Sequence, residues 1–318
     1  MDALRRLLPP KIFEVIDRAG ICTAKEILIL SKWDIKKLTN LSIGDILFLK
    51  SIVADCVAPK SVTGDILLLK QNPRVSSGCE AIDSITNGGL RTGTITEIFG
   101  ESGSGKTQIG LQAAANTFNS GSVFICTEDV FPVKRLKQIQ QSLPNYVLND
   151  NIGTNIFIEH VTEPTELLSC VKVRLPRLLN EQKVSLIVVD SIAAPYRAET
   201  TNYVQRAEDL RELAVALIEI AKGYNIAIVC INQVTTAFDG TDSILPCLGL
   251  AWSNMVSTRI ILKKTSRTVV LQSNESPSAP EYSHVRELSV VFAPDLPNKT
   301  TEFIITSRGI IGVKNMRL

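Results

Sequence analysis

The chain has 318 residues, 45% hydrophobic and 21% charged, an ordinary globular composition with enough apolar material for a core. Its formal net charge of +2 excludes a global positive field, so any nucleic acid would have to bind at local patches or loops. Seven scattered cysteines without a C-x-x-C pair predict free thiols, and no apolar run reaches the ~18 residues of a membrane span, so we expect a soluble, intracellular protein.

Residues 1–57 are predicted to form a small all-α domain that is helix-hairpin-helix-like at its end. Four short segments carry apolar residues at three- and four-residue steps, as Ile46, Leu49 and Ile52 do in the last of them. Modules of this kind contact a DNA backbone or pack on a neighbouring protein, and the sequence favours neither use.

Residues 58–74 differ in composition from the segments on either side. Pro59, Gly64 and Pro73 flank a short apolar island, Ile66–Leu69, which indicates a linker. An exposed apolar strand in a linker can also add to the sheet edge of a neighbouring subunit, and we keep that alternative open.

From residue 75 to 318 the pattern indicates an α/β domain. The segments TITEIF, VFICT, NIFIE, SLIVVD and AIVCIN are nearly continuous in apolar residues, as strands covered on both faces are. Helical patterns separate them, which predicts a mostly parallel, twisted sheet flanked by helices. After residue 255 the strands follow one another without long helices, and we expect antiparallel strands at the C-terminal edge of the sheet.

A phosphate-binding loop stands between the first predicted strand and a helix. Residues 100–107 match the pattern G-x-x-x-x-G-K-S/T, whose glycines let main-chain N–H groups surround a phosphate at a helix N-terminus. We expect Lys106 to neutralise the β- and γ-phosphates and the Thr107 hydroxyl to hold Mg²⁺. The predicted nucleotide ligands are Gly100, Glu101, Ser102, Gly103, Ser104, Gly105, Lys106, Thr107 and Gln108.

Three further polar residues follow predicted strands. Asp190 ends SLIVVD and could reach Mg²⁺ through a water, unless it is an ordinary strand terminator. Glu128 could orient and deprotonate a water, unless it and Asp129 are solvated acids at the start of a loop. Gln233 could bond the γ-phosphate and signal to the loop beyond, or satisfy backbone groups. The predicted catalytic residues are Glu128, Lys106 and Gln233, and the predicted metal ligands are Thr107 and Asp190.

Two loops, 192–204 and 235–250, follow strands that end near the nucleotide, where ligands bind in such sheets. Arg197 and Arg206 near the first loop are the candidate DNA contacts, and the second loop carries no lysine or arginine. High-affinity DNA binding needs several phosphate contacts, so these loops alone predict weak DNA binding. Lys134, Arg135 and Lys137 are expected on a solvated helix face.

The segment SGCEAIDSITNGGLRTGTITEIFGESGSGKTQ, residues 77–108, resembles the core signature of the RecA-like recombinases of eukaryotes and archaea. Glu128, Asp190 and Gln233 match the ATPase site of that family, and the helical N-terminal module and linker are arranged as in its members. The resemblance covers nearly the whole chain. It implies a RecA-like P-loop ATPase core that binds ATP and Mg²⁺ and hydrolyses ATP weakly, in a DNA-dependent reaction.

The resemblance also implies a DNA-repair factor of homologous recombination that takes part in double-strand break repair and Holliday-junction resolution. Segments such as ICTEDVFPVKRL, DSIAAPYRAE and CINQVT resemble a repair paralogue of the family rather than its main recombinase. The implied partners are the C-type paralogue of the recombinase, in a heterodimer, the main recombinase, and single-stranded and branched DNA, with no membrane. The implied location is the nucleus, with the cytoplasm as the alternative.

Two departures from the family pattern bear on assembly. Polymerising recombinases carry a linker Phe and Ala, three apart, that insert into the next subunit, whereas this chain has Val62 and Asp65 there. The segment after Gln233 is shorter than in filament-forming members and lacks lysine and arginine. Both favour a limited complex over the first alternative, a self-sufficient strand-exchange recombinase. The second alternative, a scaffold in which ATP is a structural ligand, stays open.

Overall fold

The structure, a computed structural model, describes residues 5–6, 8–58, 61–69, 73–117, 119–143, 155–197, 203–236, 244–271 and 281–313. The chain divides into two compact units, Met1–Gln71 and Asn72–Leu318, each with its own hydrophobic core. All seven cysteines are free thiols, of which Cys22 and Cys56 are exposed. Within the described ranges, no helix has the length and apolar character needed to cross a bilayer.

The first unit is helical, as the apolar spacing predicted. From Pro10 to Val57, its helices are α1 (Pro10–Arg18), α2 (Ala24–Ile29), α3 (Lys32–Thr39) and α4 (Ile43–Val57). Thr23, Ser31 and Ser42 precede α2, α3 and α4, and each side chain accepts a hydrogen bond from the third backbone N–H of its helix. These caps satisfy donors that have no partner inside the helix. The helix-hairpin-helix assignment stays a prediction.

The apolar island of the linker is a helix, α5 (Gly64–Leu69), in this structure, and its addition as a strand to a neighbouring subunit stays a prediction. Asp65 lies in the first turn of α5, where a negative charge is favoured by the helix dipole. Hydrogen bonds from the Thr63 side chain and the Ile66 backbone lower the pKa of Asp65. A negative charge in the first turn therefore favours the helical conformation of a segment that apolar content alone leaves open.

The second unit contains the predicted α/β sheet. Its strands are β1 (Arg74–Val75), β2 (Leu90–Arg91), β3 (Ile95–Gly100), β4 (Ser122–Cys126), β5 (Ile156–His160), β6 (Leu186–Asp190), β7 (Ala227–Asn232), β8 (Val234–Thr236), β9 (Ile244–Pro246), β10 (Thr258–Leu271), β11 (Glu281–Phe292), β12 (Thr300–Thr306) and β13 (Gly309–Gly312). Nine of them form one sheet in the order β13-β12-β11-β10-β3-β7-β6-β4-β5. The strands from β10 to β5 in that order are parallel, and β11, β12 and β13 continue the sheet antiparallel.

Helices cover both faces of the sheet. They are α6 (Glu80–Ile85), α7 (Lys106–Ala115), α8 (Val133–Gln141), α9 (Pro164–Ser169), α10 (Leu175–Glu181), α11 (Tyr203–Tyr224) and α12 (Gly249–Ser253), with a π-helical turn, Cys170–Arg174, between α9 and α10. Leu186 and Val188 of β6 pack into the core with α6, α7 and α8, whereas Ile187 and Val189 pack into the core with α9, α10 and α11. Both faces of β6 are therefore buried, which explains its continuous apolar sequence.

The direction of β10 differs from the expectation. Residues 258–262 pair in parallel with β3, from Thr258 opposite Thr96 to Leu262 opposite Gly100, so antiparallel pairing begins only at β11. Residues 268–271 form the end of β10, beyond a register shift between Lys264 and Thr268. A parallel neighbour needs a crossover connection, and α12 lies in the connection between β7 and β10.

Candidate nucleotide site

The phosphate loop connects the carboxyl end of β3 to the N-terminus of α7. At Gly100 a Cβ atom would lie 2.3 Å from the Leu262 carbonyl oxygen of β10, so only glycine allows this strand pair to continue to the loop. Gly105 caps α7 with φ of +105°, a conformation that other residues rarely adopt, and an added Cβ would also meet Ile305 at 3.0 Å. The strand and helix predicted on either side of the loop are both present.

Lys106 lies within the loop that it is expected to serve. Its Nζ donates hydrogen bonds to the carbonyl oxygens of Gly100, at 2.7 Å, and Glu101, at 2.8 Å. Burial lowers the pKa of Lys106, while the charges of Asp190, Glu101 and Glu128 oppose that shift. Ser104 is buried, and its Oγ has no hydrogen-bond partner among the described residues, which leaves an unsatisfied hydroxyl inside the phosphate loop.

Thr107 and Asp190 meet although they are far apart in sequence. The Thr107 hydroxyl donates to Asp190 Oδ2 at 2.6 Å, because α7 begins beside the carboxyl end of β6. Burial raises the pKa of Asp190, opposed by the Thr107 hydrogen bond and the Lys106 charge. A hydroxyl and a carboxylate are hard oxygen ligands that suit Mg²⁺. In the described part of the chain, no group of three or more His, Cys, Asp or Glu side chains is arranged so that it could hold a metal ion.

Glu128, just beyond the end of β4, is held by two donors. Gln233 Nε2 donates to Glu128 Oε2 at 3.0 Å, and Arg197 Nη1 donates to Glu128 Oε1 at 3.0 Å. Nearby, burial first and then the charges of Asp190 and Asp129 raise the pKa of Cys126 to about 11, so its thiol stays protonated. The structure therefore brings Glu128, the expected base, into contact with Gln233. It also brings Arg197, which was proposed from the sequence as a DNA contact, to the same carboxylate.

These side chains surround one cavity of about 830 Å³, within the range of about 300–1,000 Å³ typical of small-molecule sites. Glu101, Ser104 and Arg206 do not line it; Arg206 lines a separate groove with Leu248 and Gly249. The predicted residues that do line it are Gly100, Ser102, Gly103, Gly105, Lys106, Thr107, Gln108, Glu128, Asp190, Arg197 and Gln233.

Two arginines beside the loop were not identified from the sequence. Arg135, expected on a solvated helix face, donates through Nε to Gln108 Oε1 at 2.6 Å and through its other nitrogens to the carbonyls of Thr306 and Ser307. Arg286 of β11 lies against the loop, where its Nε is 3.4 Å from the Gly103 carbonyl oxygen. Burial lowers the pKa of both guanidinium groups. Their partners are distant in the chain, so sequence spacing gave no signal for either.

A phosphate loop between β3 and α7, with acidic side chains at the ends of neighbouring parallel strands, defines a P-loop nucleotide-binding core. The antiparallel strands beyond β10 complete the predicted RecA-like architecture. The sequence model of the Rad51 family matches residues 70–313. The chain belongs to the Rad51 family.

Curated relatives extend this similarity to nearly the full chain. DNA repair protein XRCC3 of Bos taurus is 33% identical, with 98% of this chain and 98% of the relative covered. The DNA repair protein XRCC3 homolog of Arabidopsis thaliana is 30% identical over 78% of this chain and 96% of its own length. DNA repair protein rhp57 of Schizosaccharomyces pombe is 26% identical, covering 92% and 93%. The resemblance to a recombinase paralogue is thereby confirmed.

Proposed function

We propose that this protein binds and slowly hydrolyses ATP as a subunit of a DNA-repair complex of homologous recombination. The observation that carries the proposal is the assembly of Lys106, Thr107, Asp190 and Glu128 around one cavity in a chain of the Rad51 family. The names of its relatives, which are DNA repair proteins, support the biological setting.

Each residue of the site has a proposed role. Loop amides and Lys106 would hold the phosphates of ATP, and Thr107 and Asp190 would hold Mg²⁺, which neutralises phosphate charge when bound. Glu128 would accept a proton from the water that attacks the γ-phosphorus, and Gln233 would orient Glu128 through the hydrogen bond at 3.0 Å. The glycine conformations of the loop, which suit main-chain N–H groups that surround a phosphate, support a site built for an anion.

The DNA and protein partners form a finer part of the proposal. We propose weak binding to single-stranded and branched DNA through the segments that contain Arg197 and Arg206, with a role in double-strand break repair and Holliday-junction resolution in the nucleus. The proposed protein partner is the C-type paralogue, in a heterodimer, with the main recombinase as a further contact. Similarity to DNA repair protein RAD51 homolog 3 of Cricetulus griseus, 27% identical over 86% of both chains, is consistent with assembly among paralogues.

The test is removal of the Lys106 ammonium. Lys106→Ala should weaken Mg-ATP binding about ten- to hundredfold, since a charge-assisted hydrogen bond is lost at a buried site. Lys134→Ala, which removes an exposed lysine from α8, is the matched control and should leave binding unchanged. Isothermal titration calorimetry measures both. Absence of heat from the unmodified protein at millimolar ATP would contradict nucleotide binding itself.

The same variant separates a nucleotide-dependent subunit from a scaffold. Co-purification with the C-type paralogue, with and without Mg-ATP, should require nucleotide in the unmodified chain and fail for Lys106→Ala. Equal recovery of the partner with Lys106→Ala would instead favour the scaffold alternative. Filaments formed by this chain alone on single-stranded DNA would favour a self-sufficient recombinase.

A further inference from the structure

Both carboxylate oxygens of Glu128 are engaged. Arg197 Nη1 donates to Oε1 and Gln233 Nε2 donates to Oε2, each at 3.0 Å. The Arg197 and Glu128 side chains are 49% and 45% exposed, so the ion pair lies at the mouth of the cavity. Arg197 has no part in the reaction as proposed above, yet it contacts the expected base directly.

The position of Arg197 is fixed by the strand that carries Asp190. A 3₁₀ turn, Ala194–Tyr196, directly precedes Arg197, and its first backbone N–H donates to the Ser191 hydroxyl at 3.2 Å. The buried Thr127 hydroxyl accepts from the Ser191 N–H at 2.8 Å and donates to the Ser191 carbonyl at 2.6 Å. Because Thr127 directly precedes Glu128, one hydrogen-bonded unit sets the positions of both partners of the ion pair.

Arg197 supplies one of two positive charges in the described lining of this cavity. Among the described residues that line it, Lys106 and Arg197 alone are cationic, and Lys106 donates to the carbonyls of the phosphate loop. Glu128, Asp129 and Asp190 supply the negative charge. Arg197 bonds the one of these acids that is expected to accept a proton.

We propose that Arg197 is a positioning residue that restrains Glu128 and slows ATP turnover without contributing to ATP affinity. In hydrolysis, a water proton passes to a Glu128 oxygen, the water oxygen bonds to the γ-phosphorus, and the bond to the β,γ-bridging oxygen breaks to release ADP. A carboxylate oxygen that accepts from a guanidinium must give up or share that hydrogen bond before it can accept the proton. The inference rests on the proposed ATPase function.

The test compares four variants of the full-length chain. Arg197→Ala should raise kcat for ATP about two- to fivefold with KM unchanged, the range expected for loss of a half-exposed ion pair. Arg197→Lys keeps the charge and should restore most of the restraint. Arg174→Ala is the matched control, since Arg174 pairs with Glu159 at 3.5 Å, is 48% exposed and lies outside the cavity lining. It should leave kcat unchanged.

The fourth variant shows whether the effect acts through Glu128. In an Arg197→Ala, Glu128→Gln double variant the rise in kcat should disappear, because the amide can no longer accept the proton. A fall in kcat, or no change, in Arg197→Ala with normal ATP binding would overturn the inference and leave the proposed function intact. Should Arg197→Ala fail to fold, a kcat for Arg197→Lys below that of the unmodified chain would overturn it equally. Absence of ATP binding by the unmodified chain would overturn the proposed function.

Discussion

Asp190 is a residue whose expected function and whose contribution to stability oppose each other. Burial raises its pKa, with smaller contributions in the same direction from Glu128 and Asp129. A carboxyl group with a raised folded-state pKa binds more protons in the folded than in the unfolded protein. Its contribution to stability is therefore fully present below the unfolded pKa and is lost as pH rises through the folded pKa. At neutral pH the ionised carboxylate costs the folded state free energy.

Because the ionised Asp190 carboxylate destabilises the folded state, we predict that Asp190→Asn raises the Tm of the nucleotide-free protein near pH 7.5. The amide oxygen can still accept from Thr107, and the buried charge is gone. The gain should shrink as pH falls, because the carboxyl of the unmodified chain then becomes protonated, and Mg²⁺-dependent ATP binding should be lost. Thermal unfolding without Mg²⁺ at several pH values measures the effect. Asp55→Asn, at an exposed position of α4, is the control; a lower Tm for Asp190→Asn would refute the prediction.

At the scale of secondary-structure elements, one buried carboxylate connects the strand of the phosphate loop to its neighbours. Glu97 of β3 is fully buried and accepts from Asn232 Nδ2 at 2.7 Å, Trp252 Nε1 at 2.9 Å and Arg259 Nε at 2.5 Å. These partners belong to β7, α12 and β10. A buried charge is tolerated only when it is paired and hydrogen-bonded, so the four elements depend on one another.

We predict that Arg259→Met lowers the free energy of unfolding by about 3–5 kcal/mol, because it leaves the Glu97 carboxylate buried without a counter-charge. Arg267→Met is a control on the same strand: Arg267 pairs with Glu302 where both are partly exposed, and its loss should cost about 1 kcal/mol or less. Urea unfolding followed by Trp252 fluorescence, in a Trp33→Phe background, measures both. An equal loss of unfolding free energy in the two variants would contradict the role of Arg259 as the counter-charge of buried Glu97.

The same elements show which parts of the fold and of the site could be predicted from the sequence. The helices of the first unit and the parallel strands follow from local apolar spacing, and the phosphate loop follows from a contiguous motif. All three could therefore be predicted from the sequence. The direction of β10, the Arg197–Glu128 pair and the Arg135–Gln108 contact depend on which strands and helices become neighbours. Their partners are separated by 69 residues for Glu128 and Arg197 and by 27 for Gln108 and Arg135, and no local pattern records such pairings. Glu97 is the exception, because a charged residue inside an apolar strand indicates a buried carboxylate that needs partners.

At the scale of the whole molecule, the described residues that line the nucleotide cavity all lie between Gly100 and Ile305, inside the unit Asn72–Leu318. That unit contains two apolar cores, one on each face of its sheet. A segment with its own cores is expected to fold alone. The boundaries predicted from sequence, 1–57, 58–74 and 75–318, stay a proposal.

We therefore predict that a chain truncated to Asn72–Leu318 binds Mg-ATP with a Kd within about twofold of the full-length value, as an autonomous domain should. Calorimetry measures binding, and circular dichroism checks that the truncated chain is folded. The same truncation carrying Lys106→Ala is the control and should bind weakly. A folded truncated chain with a tenfold higher Kd would show that residues 1–71 contribute to the site.

The placement of β10 beside β3 has a consequence for biosynthesis. The strand that leads into the phosphate loop begins at Ile95, but the partner on one of its sides begins only at Thr258. At about 5–20 residues per second, the ribosome takes roughly 10–30 s to translate the intervening stretch. During that interval the nascent chain exposes an apolar, unpaired strand edge, which is the kind of surface that aggregates or recruits chaperones. Maturation of the nucleotide site thus waits for late translation, well after the phosphate loop itself has been synthesised.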